Sequence, residues 1–204
     1  MPQAKFKRGL GRCRTGGASF TIKNRVSIAK RPRFVEARKQ FGHWETDLLL
    51  FSNKKSNVLV TQERASRFVH LAKQPDRTAG RVADNLSNWF KTMPPAMRRS
   101  LTQDNGVEFT QHYKLKADLS LKTYFCDRHS PWQKGGIENM NGRLRRYLPL
   151  DIDFKNLSPE TLLAIQDRIN NTPRKCLGFK TPAELFSKHV LHFKCESTFP
   201  RARE

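Results

Sequence analysis

Three carboxylates carry the most chemistry in this sequence: Asp47 in "HWETDLLLF", Asp104 in "LTQDNGVEF" and Glu138 in "GGIENMNGRLRRYL". Each has a plainer use. Asp47 could be a polar strand residue, although Asp is poor in strands. Asp104-Asn105-Gly106 favours a turn, and Glu138 at a helix start complements the helix dipole. Brought together without a cation, three carboxylates repel one another and their pKa values rise. A pair of Mg²⁺ ions removes that penalty, because oxygen ligands suit a hard cation. Two such ions about 3.5–4 Å apart can activate an attacking oxygen and stabilise a leaving one in phosphoryl transfer.

The elements that would position these residues can be read from pattern. "HWETDLLLF" is a central strand, and "SNVLVTQE" and "SRFVHLAK" follow it at hairpin spacing as an antiparallel meander. A helix is expected from Arg77 to Met93, with Ala79, Val82, Leu86, Trp89, Phe90 and Met93 on one face and Pro94-Pro95 as its stop. "RRSLTQD" reads as a short strand ending at Asp104, residues 110–118 as a short helix, and "LKTYFC" as a fifth strand. A helix from Gly136 to Leu148 follows. Ser158-Pro159-Glu160 and Thr181-Pro182-Ala183-Glu184 start two more. The expected fold class is α/β: a five-stranded mixed sheet flanked by helices, in the order of an RNase H-like core.

In that order Asp47 and Asp104 lie on adjacent strands, with Glu138 in the first turn of the helix after the fifth. On that helix Ile137, Met140, Leu144 and Leu148 make the apolar stripe, and Glu138, Asn141 and Arg145 line up beside it. Arg145, nearly two turns after Glu138, is placed to hold a phosphate, while Arg143 and Arg146 extend a basic surface.

Charge points to the partner. The chain of 204 residues carries 39 Lys+Arg against 18 Asp+Glu, a net +21. Residues 1–40 hold twelve of those bases, Lys5, Lys7, Arg8, Arg12 and Arg14 among them, against Glu36 alone. A basic chain with a basic leading arm suggests a nucleic acid. The arm has no helical apolar stripe for an anionic membrane, and no apolar run is long enough to span one. The four cysteines lack Cys-x-x-Cys pairing, as expected of reduced thiols. The expected organisation is a basic flexible arm (1–40), a catalytic core (41–190) and a C-terminal tail (191–204).

"FGHWETDLLL", "LTQDNGVEF", "YFCDRHSPWQKGGIENMNGRLRRYLP" and "NNTPRKCLGFKTPAELF" resemble, in order, the blocks of bacterial transposases of the family named for insertion sequence thirty. That family lies within the DDE transposase/retroviral integrase superfamily, and the resemblance runs from about Asn24 to about Phe186. The 33 residues between Asp104 and Glu138 fall in the family's range. The resemblance implies an integrase catalytic core in which Asp47, Asp104 and Glu138 bind two Mg²⁺ ions, with Mn²⁺ as a substitute. It puts His129, Trp132 and Gln133 in a loop near DNA, and Asn105, Asn139, Asn141 and Arg145 near the metals or the DNA, where the basic surface of Arg143 and Arg146 is also expected to bind DNA. It implies strand cleavage and 3′-OH transfer during transposition, insertion-sequence ends and target DNA as partners, a homo-oligomer on DNA, and a bacterial cytoplasmic, nucleoid-associated setting. Tyr113, Tyr124 and Tyr147 do not sit among Arg and His as a tyrosine recombinase requires. Two departures stand out: Thr46 occupies a position often Gly or Ala, and the family's usual N-terminal helix-turn-helix region is expected to be lacking. The second keeps a truncated, non-catalytic DNA-binding remnant or regulator of transposition as the alternative.

Overall fold

The structure is a computed structural model that describes residues 22–128 and 130–198. Lys5, Lys7, Arg8, Arg12, Arg14 and His129 lie outside the described residues.

The first strand, β1 (His43–Leu50), sits at the centre of a five-stranded sheet. It runs antiparallel to β2 (Asn57–Glu63), which pairs antiparallel with β3 (Val69–Gln74). On its other side β1 runs parallel to β4 (Ser100–Gln103), and β4 parallel to β5 (Lys122–Phe125), giving the order β3-β2-β1-β4-β5. This is the five-stranded mixed sheet expected from the sequence.

Side chains alternate across a strand with period two, so β1 serves two cores. Trp44 joins Leu59, Val82, Leu86, Phe90, Leu101 and Phe125 in one, beneath α1 (Ala79–Lys91) and α2 (His112–Leu119). Leu49 joins Val58, Val60, Ile137, Met140, Leu144 and Leu162 in the other, beneath α3 (Gly135–Leu144) and α4 (Pro159–Asn170). Glu45 and Asp47 share the face of Leu49, the face that α3 covers. Thr46 points the other way, fully buried, and its hydroxyl donates to the Val60 carbonyl at 3.0 Å. Its departure from the family pattern is therefore absorbed by a hydrogen bond.

Three boundaries differ from expectation. Helix α3 ends at Leu144 rather than Leu148. Residues 145–147 continue as a turn and Leu148 as a bend, before Pro149, which disfavours helical backbone in the residue before it. α5 (Pro182–Thr198) runs through the expected tail boundary at 190. It starts where the capping box was read: Thr181 and Glu184 exchange side-chain-to-backbone hydrogen bonds at 2.9 and 3.1 Å. The third difference is at the front. Ile22, Ile28 and Val35 are buried, Ser27 bridges Phe125 beside β5, and buried Arg31 donates to Thr102 at 3.0 Å. Residues 22–40 thus pack on the domain instead of belonging to an arm. Their apolar positions follow neither helix nor strand period, so the sequence pattern did not reveal them.

Among the described residues no helix is long and apolar enough to cross a membrane.

Candidate active site

The register of β1 against β4 pairs His43 with Ser100 and Glu45 with Thr102. Continued by two residues, it sets Asp47 level with Asp104, just past the carboxyl end of β4. The turn is real: Asp104 Oδ1 accepts the Gly106 N–H at 2.9 Å. That bond occupies one carboxylate oxygen and leaves Oδ2 for a second partner. The turn presents the carboxylate.

Between the two aspartates stands a residue the sequence reading passed over. Lys134 Nζ lies 3.2 Å from Asp47 Oδ1 and 3.2 Å from Asp104 Oδ2, and the lysine is buried. Burial by itself works against its charge, but Asp47 and Asp104 more than offset this and hold its pKa above the ordinary lysine value. Burial pushes Asp47 upward; Lys134 opposes that shift and Asp104 adds to it. Repulsion between carboxylates was the expected cause, yet burial is the larger one. Asp47 is further fixed by the Leu48 N–H on Oδ1 and by Asn141 Nδ2 on Oδ2, both at 3.0 Å. Asn141 is therefore a direct partner of Asp47.

Glu138 is exposed and its side chain makes no hydrogen bond or ion pair with another described residue. It lies one turn after Lys134, in the first turn of α3. Among the described residues no group of three His, Cys, Asp or Glu side chains is close enough to hold a metal ion. The pair Asp47–Asp104 fits a cation, since its two oxygens already share an ammonium. Glu138 stands beside that pair and outside its contacts.

The first turn of α3 is anchored from below by Glu45, two residues before Asp47 on the same strand face. Glu45 is buried, accepts the Ile137 N–H at 3.1 Å on Oε2, and is bonded through Oε1 to buried Arg64. Gly136 makes room for this contact: a Cβ there would meet Glu45 Oε2 at 2.7 Å. Strand β1 thus carries Asp47 and also holds the helix that carries Glu138 and Asn141. The buried acid in "HWETD" was a signal available in sequence.

The other expected residues divide. Trp132 is 74% exposed at the edge of a cavity shared with Arg31, Arg38 and Gln133, so its ring face is free to stack. Gln133 makes two bonds to Asp127, at 2.7 Å from its backbone N–H and 3.0 Å to its carboxylate. Asn105 accepts from Arg25 and donates to the Cys126 carbonyl, both at 2.7 Å, tying the Asp104 turn to the end of β5. Arg143 is exposed and bonds Asn139 at 3.2 Å, and Arg146 is exposed. Arg145 departs from expectation. Its guanidinium donates to the backbone carbonyls of Leu148 and Leu50 and lies over the Phe51 ring. In this geometry it clamps the end of α3 to the end of β1, with a donor from each Nη spent on a backbone carbonyl.

This arrangement of two adjacent-strand aspartates around a cation invites comparison with known proteins. Residues 37–131 match the family model described as the integrase core domain. The chain is 41% identical over 188 residues to the transposase for insertion sequence element IS1086 of Cupriavidus metallidurans, covering 92% of this chain and 55% of that protein. It is 34% identical over 172 residues to the transposase InsI for IS30A of Escherichia coli K12, covering 84% and 45%. It is 35% identical over 177 residues to the transposase for IS4351 of Bacteroides fragilis, covering 87% and 54%. The chain spans about half the length of these curated relatives. In fold it is similar to the crystallised catalytic core domain of BIV integrase, with a TM-score of 0.55 and 24% identity over 74% of this chain and 98% of that one. The fold is RNase H-like.

Proposed function

We propose, for a chain that belongs to the IS30 family of insertion-sequence transposases built on an integrase core, that it cleaves DNA at element ends and joins the freed 3′-OH to target DNA. The observation that carries this reading is the convergence of Asp47 and Asp104 on one cation at the carboxyl ends of adjacent parallel strands. Asp47 and Asp104 would hold divalent metal ions, and Glu138 would complete the ligand set by turning toward them from the first turn of α3. Mg²⁺, or Mn²⁺ in its place, supplies activation of the attacking oxygen and stabilisation of the leaving one. Asn141 orients Asp47, and Glu45 holds the helix that brings Asn141 and Glu138 to the site. Trp132, with Arg143 on α3 and Arg146 just after it, would receive the DNA, with a second copy of the chain serving the paired end. A bacterial cytoplasmic, nucleoid-associated setting belongs to the same reading.

Incubation with DNA bearing the element's ends tests it. Nicking and joined products are expected with Mg²⁺ and none in EDTA. Salt-sensitive DNA binding with no cleavage under any metal would instead favour a non-catalytic binding protein.

Lys134 makes a separate prediction. A Lys134→Met variant keeps the bulk but leaves two carboxylates facing each other. Its thermal midpoint in EDTA should fall by several degrees (about 2–4 °C per kcal/mol at this size). Calorimetric titration should show Mg²⁺ binding tighter than to the wild type, because no ammonium competes. Weaker Mg²⁺ binding would mean that Lys134 assists the ion instead of standing in its place.

A further inference from the structure

On the face of α3 turned away from Asp47 lies a cavity of about 200 Å³ with four arginines in its wall: Arg38, Arg67, Arg143 and Arg174. They come from four parts of the chain: the segment before β1, the turn after β2, α3 itself, and the loop after α4. Asn139 and Gln62 add polar groups, and Gly135 and Gly136 form the rim. A Cβ on Gly136 would lie 3.5 Å from Arg67 Nη1 and 3.6 Å from Arg38 Nη2, so two guanidinium tips flank the start of the helix.

Among the described residues none of these four cations forms an ion pair with a carboxylate. The acidic groups that act on Arg67 are the Cys176 thiol, which also lines the cavity, and then Glu45 and Glu63. Glu45 is bonded to Arg64 and the Ile137 N–H. Glu63 accepts from Gly42 N–H and from the Ser66 N–H and hydroxyl at 2.6–3.2 Å. Arg174 is 8% exposed, and its Nε has no hydrogen-bond partner among the described residues while Nη2 donates to the Ile169 carbonyl. Burial and then like-charge repulsion hold Arg67 and Arg174 below the ordinary arginine value, Arg38 acting on the first and Arg143 on the second. Four facing guanidiniums are costly unless an anion joins them, and planar guanidinium forks match phosphate oxygens.

We propose that this cavity seats a single phosphate group of a DNA strand crossing α3, beside the face that carries Glu138. The proposal rests on the transposase reading, since the phosphate is that of the DNA substrate. On α3, Asn139 and Arg143 lie roughly 100–140° around the axis from Glu138. A strand whose phosphodiester reaches the aspartates can therefore lay another phosphate here. The pocket would hold the strand in register for the reacting one.

The salt dependence of binding tests this, because each neutralised phosphate contributes about 0.9 to the slope of log K against log salt on duplex DNA. Fluorescence anisotropy with a labelled duplex of the element end, in EDTA, would compare the full chain with a triple variant, Arg38→Gln, Arg67→Gln and Arg143→Gln. The slope should drop by about 0.9, the loss of one phosphate. Asn139→Asp keeps an acceptor for Arg143, places a carboxylate in the cavity, and should show the same drop. The triple variant should melt no lower than the wild type, since repulsion is relieved. No change in slope, or a drop near 2.7 expected for three separate phosphates, overturns the proposal. So does stabilisation of the wild type, but not the triple variant, by inorganic phosphate with the DNA slope unchanged, which would assign the cavity to a free anion. If the wild type shows no salt-dependent DNA binding at all, the transposase reading itself fails.

Discussion

An Asp104→Asn variant should fold, bind DNA at least as tightly as the wild type, and lose strand cleavage by about 10³-fold, the scale on which deleting one electrostatic element of a reaction site acts. The turn survives the substitution. The amide oxygen of an asparagine can still accept the Gly106 N–H that Asp104 Oδ1 accepts at 2.9 Å, so the chain keeps its bend. What is lost is the negative charge on Oδ2, one of the two charges now balanced by Lys134. Lys134 then pairs with Asp47 alone, and in the proposed reaction a divalent ion would meet one carboxylate in place of two. DNA affinity does not suffer, because removing a negative charge lessens repulsion of the phosphates. The measurement is gel-resolved nicking and joining in Mg²⁺ alongside anisotropy in EDTA. Cleavage at wild-type rate in Asp104→Asn would remove this residue from the metal-binding set. Loss of both cleavage and binding would mean that the turn, not the charge, had failed.

The second large effect is on stability. Glu45→Ala should destabilise the domain by about 3–5 kcal/mol, because removing one partner of a buried ion pair strands the other's charge. Arg64 is the stranded group, 4% exposed. The first turn of α3 also loses the acceptor for its Ile137 N–H. At about 2–4 °C per kcal/mol for a domain of this size, the thermal midpoint should fall by roughly 6–20 °C. Glu45→Gln keeps an acceptor for Ile137 and should fall less. A double variant, Glu45→Met with Arg64→Leu, separates the two contributions: it should regain much of the stability without restoring cleavage, since α3 remains unanchored. A Glu45→Ala variant that melts with the wild type would show that other contacts, not this carboxylate, set the position of α3.

Much of the fold was legible because its causes are local. Period-two alternation in "HWETDLLLF" puts Glu45, Asp47 and Leu49 on one face whatever lies beneath them. Asp-Asn-Gly makes a turn through its own side chain, and Thr181 with Glu184 makes a cap through bonds three residues apart. The apolar stripe of Ile137, Met140 and Leu144 fills the core predicted for it. From such features the sequence by itself determined the α/β class and the order of elements along the chain. The adjacency of Asp47 and Asp104 was expected only from the likeness of that order to an RNase H-like core, and the pairing of β1 with β4 in the folded sheet places them side by side.

Only the tertiary structure decided which partners the long side chains take. Lys134 reaches across to two strands whose aspartates precede it by 87 and 30 positions. Arg145, placed by helix period beside Glu138, turns to the Leu50 carbonyl, 95 positions away. Arg38, Arg67, Arg143 and Arg174 share a wall without sharing any sequence pattern. The reason is physical. Backbone periodicity fixes the face from which a side chain leaves, but a lysine or arginine stem then spans several rotatable bonds, and its charged end goes to the best-solvated or best-paired position within reach. That position is made by residues distant in the chain, so it exists only once the sheet, α3 and the loop after α4 have come together.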